Sequence, residues 1–160
     1  MTTGRFLSID YGTKRIGIAI SDENCVLAFP KEIILNDLNT FKNISDTIEK
    51  EKVGEIVVGE SVDFSGKLNV LSGRIEVFIL ELKEKFKLPV HKQKEFLTSI
   101  EARRYENIGR QVRHSVAQAR SKVKQIKSGR ADASAAALIL QRYLDKKNLF
   151  DANKAKQSIL

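Results

Sequence analysis

The chain has 160 residues, of which 42% are hydrophobic and 30% charged, proportions that fit one globular domain with one sizeable core and leave no room for two. The longest apolar run, Ala135–Leu140, is far too short to span a bilayer, and Met1–Asp10 lacks the regions of a secretory leader. Cys25 is the single cysteine, which excludes an intrachain disulfide and fits a buried, inert thiol in a reducing, cytoplasmic setting.

In chain order, Phe6–Asp10 is a short apolar run closed by the turn signal Tyr11-Gly12-Thr13. Arg15–Ser21 alternates, with Ile16, Ile18 and Ile20 on one face and Gly17 and Ala19 on the other. Asp22-Glu23-Asn24 makes a second turn, and Val26–Leu35 reads as a third strand interrupted at Pro30. Turns this short make the three strands an antiparallel meander. The period then changes: Phe41, Ile44, Ile48 and Val53 follow helical spacing, with Asn39 or Thr40 as the cap. Glu55–Glu60 is a fourth strand whose Ile-Val-Val centre suits burial on both faces. A loop from Ser61 to Gly66 leads to a helix with Leu68, Leu71, Ile75, Phe78, Ile79 and Leu82 inward. Pro89-Val90-His91 opens a fifth strand, and Thr98-Ser99-Ile100-Glu101 is a capping box.

Beyond it, Val112, Val116, Ala119, Val123 and Ile126 form a seam spaced 4-3-4-3, expected to pack on its own domain and to end at Ser128-Gly129. Asp132–Lys147 is the last expected helix, and Asn148–Leu160 a polar, frayed tail. The domain thus covers residues 1–147 and the tail residues 148–160. The order β-β-β-α-β-α-β-α-α predicts an α/β domain, a mixed five-stranded sheet covered by helices.

The net charge of +8 is concentrated. Arg110, Arg113, Arg120, Lys122, Lys124, Lys127 and Arg130 fall in one segment that holds no acidic residue. A focused basic patch marks a polyanion partner, nucleic acid before membrane because no aromatic-rich amphipathic anchor accompanies it; the alternative is a solvated helix face. Asp10 stands at a strand end before a glycine turn, where open α/β sheets place their sites, although a carboxylate there can equally initiate the turn. His91 and His114 lack metal-ligand spacing and read as surface or contact residues.

Four segments carry a resemblance. Ile9-Asp10-Tyr11-Gly12-Thr13-Lys14-Arg15-Ile16-Gly17-Ile18-Ala19-Ile20-Ser21-Asp22 resembles the opening of the YqgF family, Holliday-junction-resolvase-like proteins assigned to pre-16S rRNA cleavage. Ile56-Val57-Val58-Gly59 with Gly66, Leu97-Thr98-Ser99 with Glu101-Ala102, and Asp132–Gln141 are similar to its later motifs. The resemblance implies a ribonuclease H-like fold with sheet order 3-2-1-4-5, trimming of the 5′ end of precursor 16S rRNA, and an acidic site for Mg²⁺ or Mn²⁺, hard cations that take carboxylates rather than histidines. Two such ions about 4 Å apart can activate water and stabilise the leaving oxygen.

On this basis Asp10, Glu60, Glu95 and Asp132 are the expected catalytic residues, with Asp10, Glu60 and Asp132 holding metal. Lys14, Arg15, Arg110, Arg113, Arg120, Lys122 and Lys124 are expected to contact nucleic acid. The chain departs from the family pattern twice: Lys94-Glu95-Phe96 stands where Asp-Glu-Arg is usual, and Glu60-Ser61 where Leu-Pro is usual. The resemblance favours Glu95 as a ligand, whereas lateral strand spacing favours Glu60, with Glu95 outside it or orienting water. A non-catalytic nucleic-acid-binding module of the same fold, a resolvase-like nuclease on branched DNA, and one lobe of the sugar kinase, actin and Hsp70 type are the competing readings. The oligomeric state is a monomer or a homodimer.

Overall fold

The computed structural model describes residues 4–62, 70–96 and 123–157; within them the side chains of 61–62, 70, 95–96, 123–132, 134 and 156 lie outside the description. Its elements are β1 (Arg5–Tyr11), β2 (Arg15–Ser21), β3 (Ala28–Leu35), α1 (Thr40–Glu51), β4 (Val53–Val62), α2 (Val70–Phe86), β5 (Val90–Phe96) and α3 (Val123–Gln157). The five strands form one sheet in the order β3-β2-β1-β4-β5. β1, β2 and β3 pair antiparallel, as their short turns require, and β4 and β5 join parallel to β1 after helical connections.

Alternation along β1 and β4 divides the core between the two sheet faces. Leu7, Ile9, Ile16, Ile18, Ile56 and Val58 pack with Ile44 of α1 and Ile75, Phe78, Ile79 and Leu82 of α2. Phe6, Ala19 and Val57 pack with Ala136, Ile139, Leu140 and Leu144 of α3 on the other face. α3 lies across β2, β3 and β1.

Several expectations shift at element ends. Val53 does not close α1 but opens β4, because Lys52 takes a left-handed conformation (φ 52°) that stops the helix. Its side chain is buried in the same cluster, so the apolar signal was right and the element wrong. Pro30 does not break β3; the strand skips register beside it, the accommodation an edge strand allows. Val26 and Leu27 belong to the turn, where their amides donate to Asp22 Oδ1 at 2.7 and 2.9 Å. Those bonds, that of Leu27 foremost, hold the Asp22 carboxyl below its usual range. Ser61 and Val62 extend β4 where a loop is expected.

The largest difference is α3. Ser128-Gly129 does not end a helix, and the polar stretch from Asn148 is helical through Gln157. One interior glycine costs only about 1 kcal/mol against alanine, too little by itself to stop a helix. Of the expected seam, Val112, Val116 and Ala119 lie outside the described residues, as does the capping box at 98–101.

Candidate active site

Asp10 occupies the penultimate position of β1, opposite Gly17 of β2 and one residue beyond the Ile9–Val58 pair with β4. β1 is the strand on which the sheet changes from antiparallel to parallel pairing, the kind of crevice where α/β sheets bind ligands. Asp10 is half-buried. By strand alternation it shares the α3 face with Phe6 and Ser8.

The turn beyond Asp10 is fixed by close backbone packing. A Cβ on Gly12 would lie 2.3 Å from the Arg15 carbonyl oxygen, so only glycine fits. Asn36, just past β3, donates its side-chain amide to the Gly12 carbonyl at 2.8 Å and its backbone N–H to the Lys14 carbonyl at 3.0 Å. The pinned turn displays Lys14 and Arg15, both exposed, at the same sheet end as Asp10.

α3 reaches this end from below. Gln141 accepts from the Ala28 amide and donates to the Val26 carbonyl, each at 2.9 Å. Asn148 donates to the Cys25 carbonyl at 3.1 Å. Tyr143 packs on Phe6 at the start of β1 (5.6 Å between ring centres), and Ile139 lies over Gly59, where an added Cβ would stand 2.5 Å from Ile139 Cδ1. The helix therefore runs antiparallel to β1, and its amino-terminal stretch leads toward the carboxyl ends of β1 and β4. Asp132 lies seven residues before Ile139, about 10 Å of helical rise further in that direction; its side chain lies outside the described residues.

The two glutamates separate by strand parity. Glu60 follows Ile56 and Val58 on β4, whose side chains face α1 and α2, so it is on the face opposite Asp10. It is half-buried and level with Lys94. Glu95 is level with Ser61 and has the parity of His91, whose ring meets Tyr143 of α3 at 5.3 Å. The sheet thus brings the strand positions of Asp10 and Glu95 to one face and puts Glu60 on the other. Lateral spacing alone had favoured Glu60; it ignored the two-residue period that decides the face. Of the basic residues expected to grip nucleic acid, Arg110, Arg113, Arg120 and Lys122 lie outside the described residues, and Lys124 falls in the first turn of α3.

Three features of this end were not singled out from sequence. Gly59 permits the close approach of α3, and Asn36 clamps the turn. Ser8, two residues before Asp10 on the same face, is wholly buried, and its Oγ has no hydrogen-bond partner among the described residues. A polar residue inside the apolar run Phe6–Ile9 was the available signal. His91 is the contact residue expected: its Nε2 meets Glu55 Oε2 at 2.5 Å. Beside this pair, burial first and then the Glu55 charge push the Tyr143 hydroxyl up to about 12. Cys25 is only half-buried, its Sγ 3.6 Å from the Gly4 carbonyl oxygen.

The sequence profile of the RuvX family, described as Holliday junction resolvase, matches residues 4–146. The chain belongs to that family. A relative from Lawsonia intracellularis, named as a candidate pre-16S rRNA nuclease, is 36% identical over 143 residues, covering 88% of this chain and 93% of its own. A relative of the same name from Thermoanaerobacter pseudethanolicus is 34% identical over 143 residues, covering 88% and 96%. Among solved structures, Thermus thermophilus RuvC in complex with a Holliday junction substrate superposes with a TM-score of 0.51 at 15% identity, covering 89% of this chain and 95% of that one. The fold is accordingly ribonuclease H-like, in the sheet order the sequence resemblance implied, and the RuvX member is by family a nuclease. No helix among its described residues is long and apolar enough to cross a membrane.

Proposed function

We propose that this RuvX protein is a divalent-metal-dependent nuclease of the cytoplasm that hydrolyses phosphodiester bonds near the 5′ end of precursor 16S rRNA. The observation that carries the reading is the convergence at one sheet end: Asp10 at the close of β1, the strand position of Glu95 on the same face, and the stretch of α3 that bears Asp132 leading toward them. Among the described residues no three metal-ligating side chains meet, but the candidate donors are all hard oxygens, which fits Mg²⁺ or Mn²⁺ and not a softer ion. Asp10, Glu95 and Asp132 are the residues that would hold the metal, in place of the set containing Glu60. When bound, such an ion polarises phosphoryl oxygens and lowers the pKa of attacking water.

The chain's own residues supply the rest. Asp10 is held by a strand whose register is fixed on both sides, so its carboxylate is presented with little freedom to lose. Lys14 and Arg15, on the pinned turn, offset the charge of an incoming phosphate without reading sequence. The basic segment 110–130 supplies further phosphate contacts, each adding about 0.7 to 0.9 to the slope of log affinity against log salt. The domain is residues 1–147, a boundary the profile match through residue 146 supports; α3 continues past it. The protein acts as a monomer or homodimer.

The deciding experiment incubates the protein with precursor 16S rRNA and with branched DNA, in Mg²⁺ or Mn²⁺ against EDTA. Asp10→Asn and Asp132→Asn should each abolish cleavage with the fold intact; wild-type cutting by either overturns the site. Preference for branched DNA would favour the resolvase activity in the family's description. Calorimetry with Mn²⁺ should show loss of binding in Glu95→Gln and retention in Glu60→Gln, and the reverse would restore Glu60.

A further inference from the structure

Resting on the metal-site reading above, we infer that Ser8 is a positioning residue for Asp10, its hydroxyl holding the Asp10 carboxylate through one bound water in the orientation that receives a divalent cation. Ser8 lies at the centre of the sheet, paired with Ala19 of β2 and Val57 of β4, and is wholly buried. Among the described residues its neighbours in the α3 cluster are apolar: Phe6, Ala19, Val57, Ala136 and Ile139. Its Oγ has no hydrogen-bond partner among the described residues. A hydroxyl in such a layer is unfavourable unless something satisfies it, and alanine would fit the same space without that cost.

The placement says what satisfies it. Side chains two apart on a strand share a face, and their Cα atoms are separated by about 6.6 Å. That is too far for a direct bond from a serine hydroxyl to a carboxylate, and suited to one intervening water with two polar partners. The neighbours toward Asp10 are small: Gly17 stands opposite it and Gly59 lies beyond Val57 on β4. On the other side of Ser8 are the ring of Phe6, which offers no acceptor, and level with it Glu55 of β4, whose carboxylate already meets His91 Nε2. The hydroxyl therefore acts toward Asp10. Partners that hydrogen-bond a ligating carboxylate fix its orientation, and their loss commonly weakens metal binding tenfold or more.

The test separates a positioning role from a structural one. Ser8→Ala and Ser8→Cys are compared with wild type in metal-free thermal unfolding and in Mn²⁺ titration calorimetry. The expected result is a melting temperature that is unchanged or higher, because no protein hydrogen bond is lost, together with Mn²⁺ affinity about tenfold weaker. Ser8→Thr, which keeps the hydroxyl, should bind Mn²⁺ more tightly than Ser8→Cys. Affinity within twofold of wild type in both Ser8→Ala and Ser8→Cys overturns the inference. Failure of the underlying site looks different: there, Asp10→Asn itself would retain wild-type Mn²⁺ affinity.

Discussion

Toward α1 and α2 the sheet presents Leu7, Ile9, Ile16, Ile18, Ile56 and Val58, large side chains that meet Phe78, Ile79 and Leu82. Toward α3 it presents Phe6, Ser8, Gly17, Ala19, Val57 and Gly59, against a helix rich in alanine. Buried apolar area stabilises roughly in proportion to its size, so the first face supplies more of the fold's stability. The second gives up bulk and gains proximity: small residues let the α3 backbone come close enough to lead Asp132 toward Asp10. The bulk of the packing and the proposed chemistry thus fall largely on opposite sides of one sheet.

Truncation on the large face should have the greatest effect on folding. Leu82→Ala leaves a cavity in a fully buried position and should cost about 2–5 kcal/mol in denaturant unfolding. Activity per folded molecule should stay near wild type. A comparable loss of specific activity would break the division of labour.

On the small face the ranking reverses. Gly59→Ala puts a methyl group 2.5 Å from Ile139 Cδ1 in a buried layer, and overpacking of this kind costs about 1–3 kcal/mol. Cleavage should fall by more than the stability loss explains, because α3 is pushed from the strand ends. Adding Ile139→Val should recover part of both. If Gly59→Ala lowers stability alone, the close approach serves packing only.

A smaller effect is expected where α3 is anchored. Gln141→Leu removes two hydrogen bonds to the backbone around Val26 and Ala28, about 1–2 kcal/mol in total. Hydrogen exchange should show faster opening of α3 while α1 and α2 are unaffected.

The smallest effects are protonic. The Lys31 hydrogen bond to Glu51, opposed by burial and helped by the charges of Lys31 and Arg5, holds the Glu51 carboxyl below its ordinary 4.5. A lowered acid contributes stability above its ordinary value and loses it as the pH falls through the lowered one. Glu51→Gln should therefore lower stability modestly at pH 7, flatten the acid limb below about pH 4.5, and converge on the wild type at low pH. Tyr143 titrates in the other direction. Its hydroxyl is raised to about 12, so the contribution is complete below 10 and lost as the pH rises through 12. Ultraviolet titration should find Tyr143 still largely protonated at pH 11 in the folded protein and ionised after unfolding.

Most of this fold could be read from period and turn. The isoleucines at 16, 18 and 20 declared a two-faced strand, and Leu71, Ile75, Phe78, Ile79 and Leu82 declared a helix, because each pattern reports which side is buried. Element ends were harder. Lys52 stops α1 through a left-handed backbone that lysine composition does not advertise, and Gly129 was given a stop signal's weight although one interior glycine costs a helix only about 1 kcal/mol. The site was half legible. Asp10 is placed by a local signal, an apolar strand before a glycine turn. Choosing between Glu60 and Glu95 needs the register of β4 against both neighbours, which depends on where Val53 starts the strand. Ser8 could not be interpreted until the helix covering it was known.

The anchoring of α3 also bears on when the protein becomes complete during synthesis. Gln141 bonds to backbone 113 and 115 residues earlier in the chain, whereas the β1–β2–β3 meander closes through neighbours in sequence. Translation proceeds from the amino terminus, and local pairings form before distant ones. The strand bearing Asp10 therefore leaves the ribosome and pairs well before the helix bearing Asp132 exists. A nascent chain holds one part of the proposed acidic set and lacks the other, and ribosome-bound chains stalled before residue 132 should not cleave RNA.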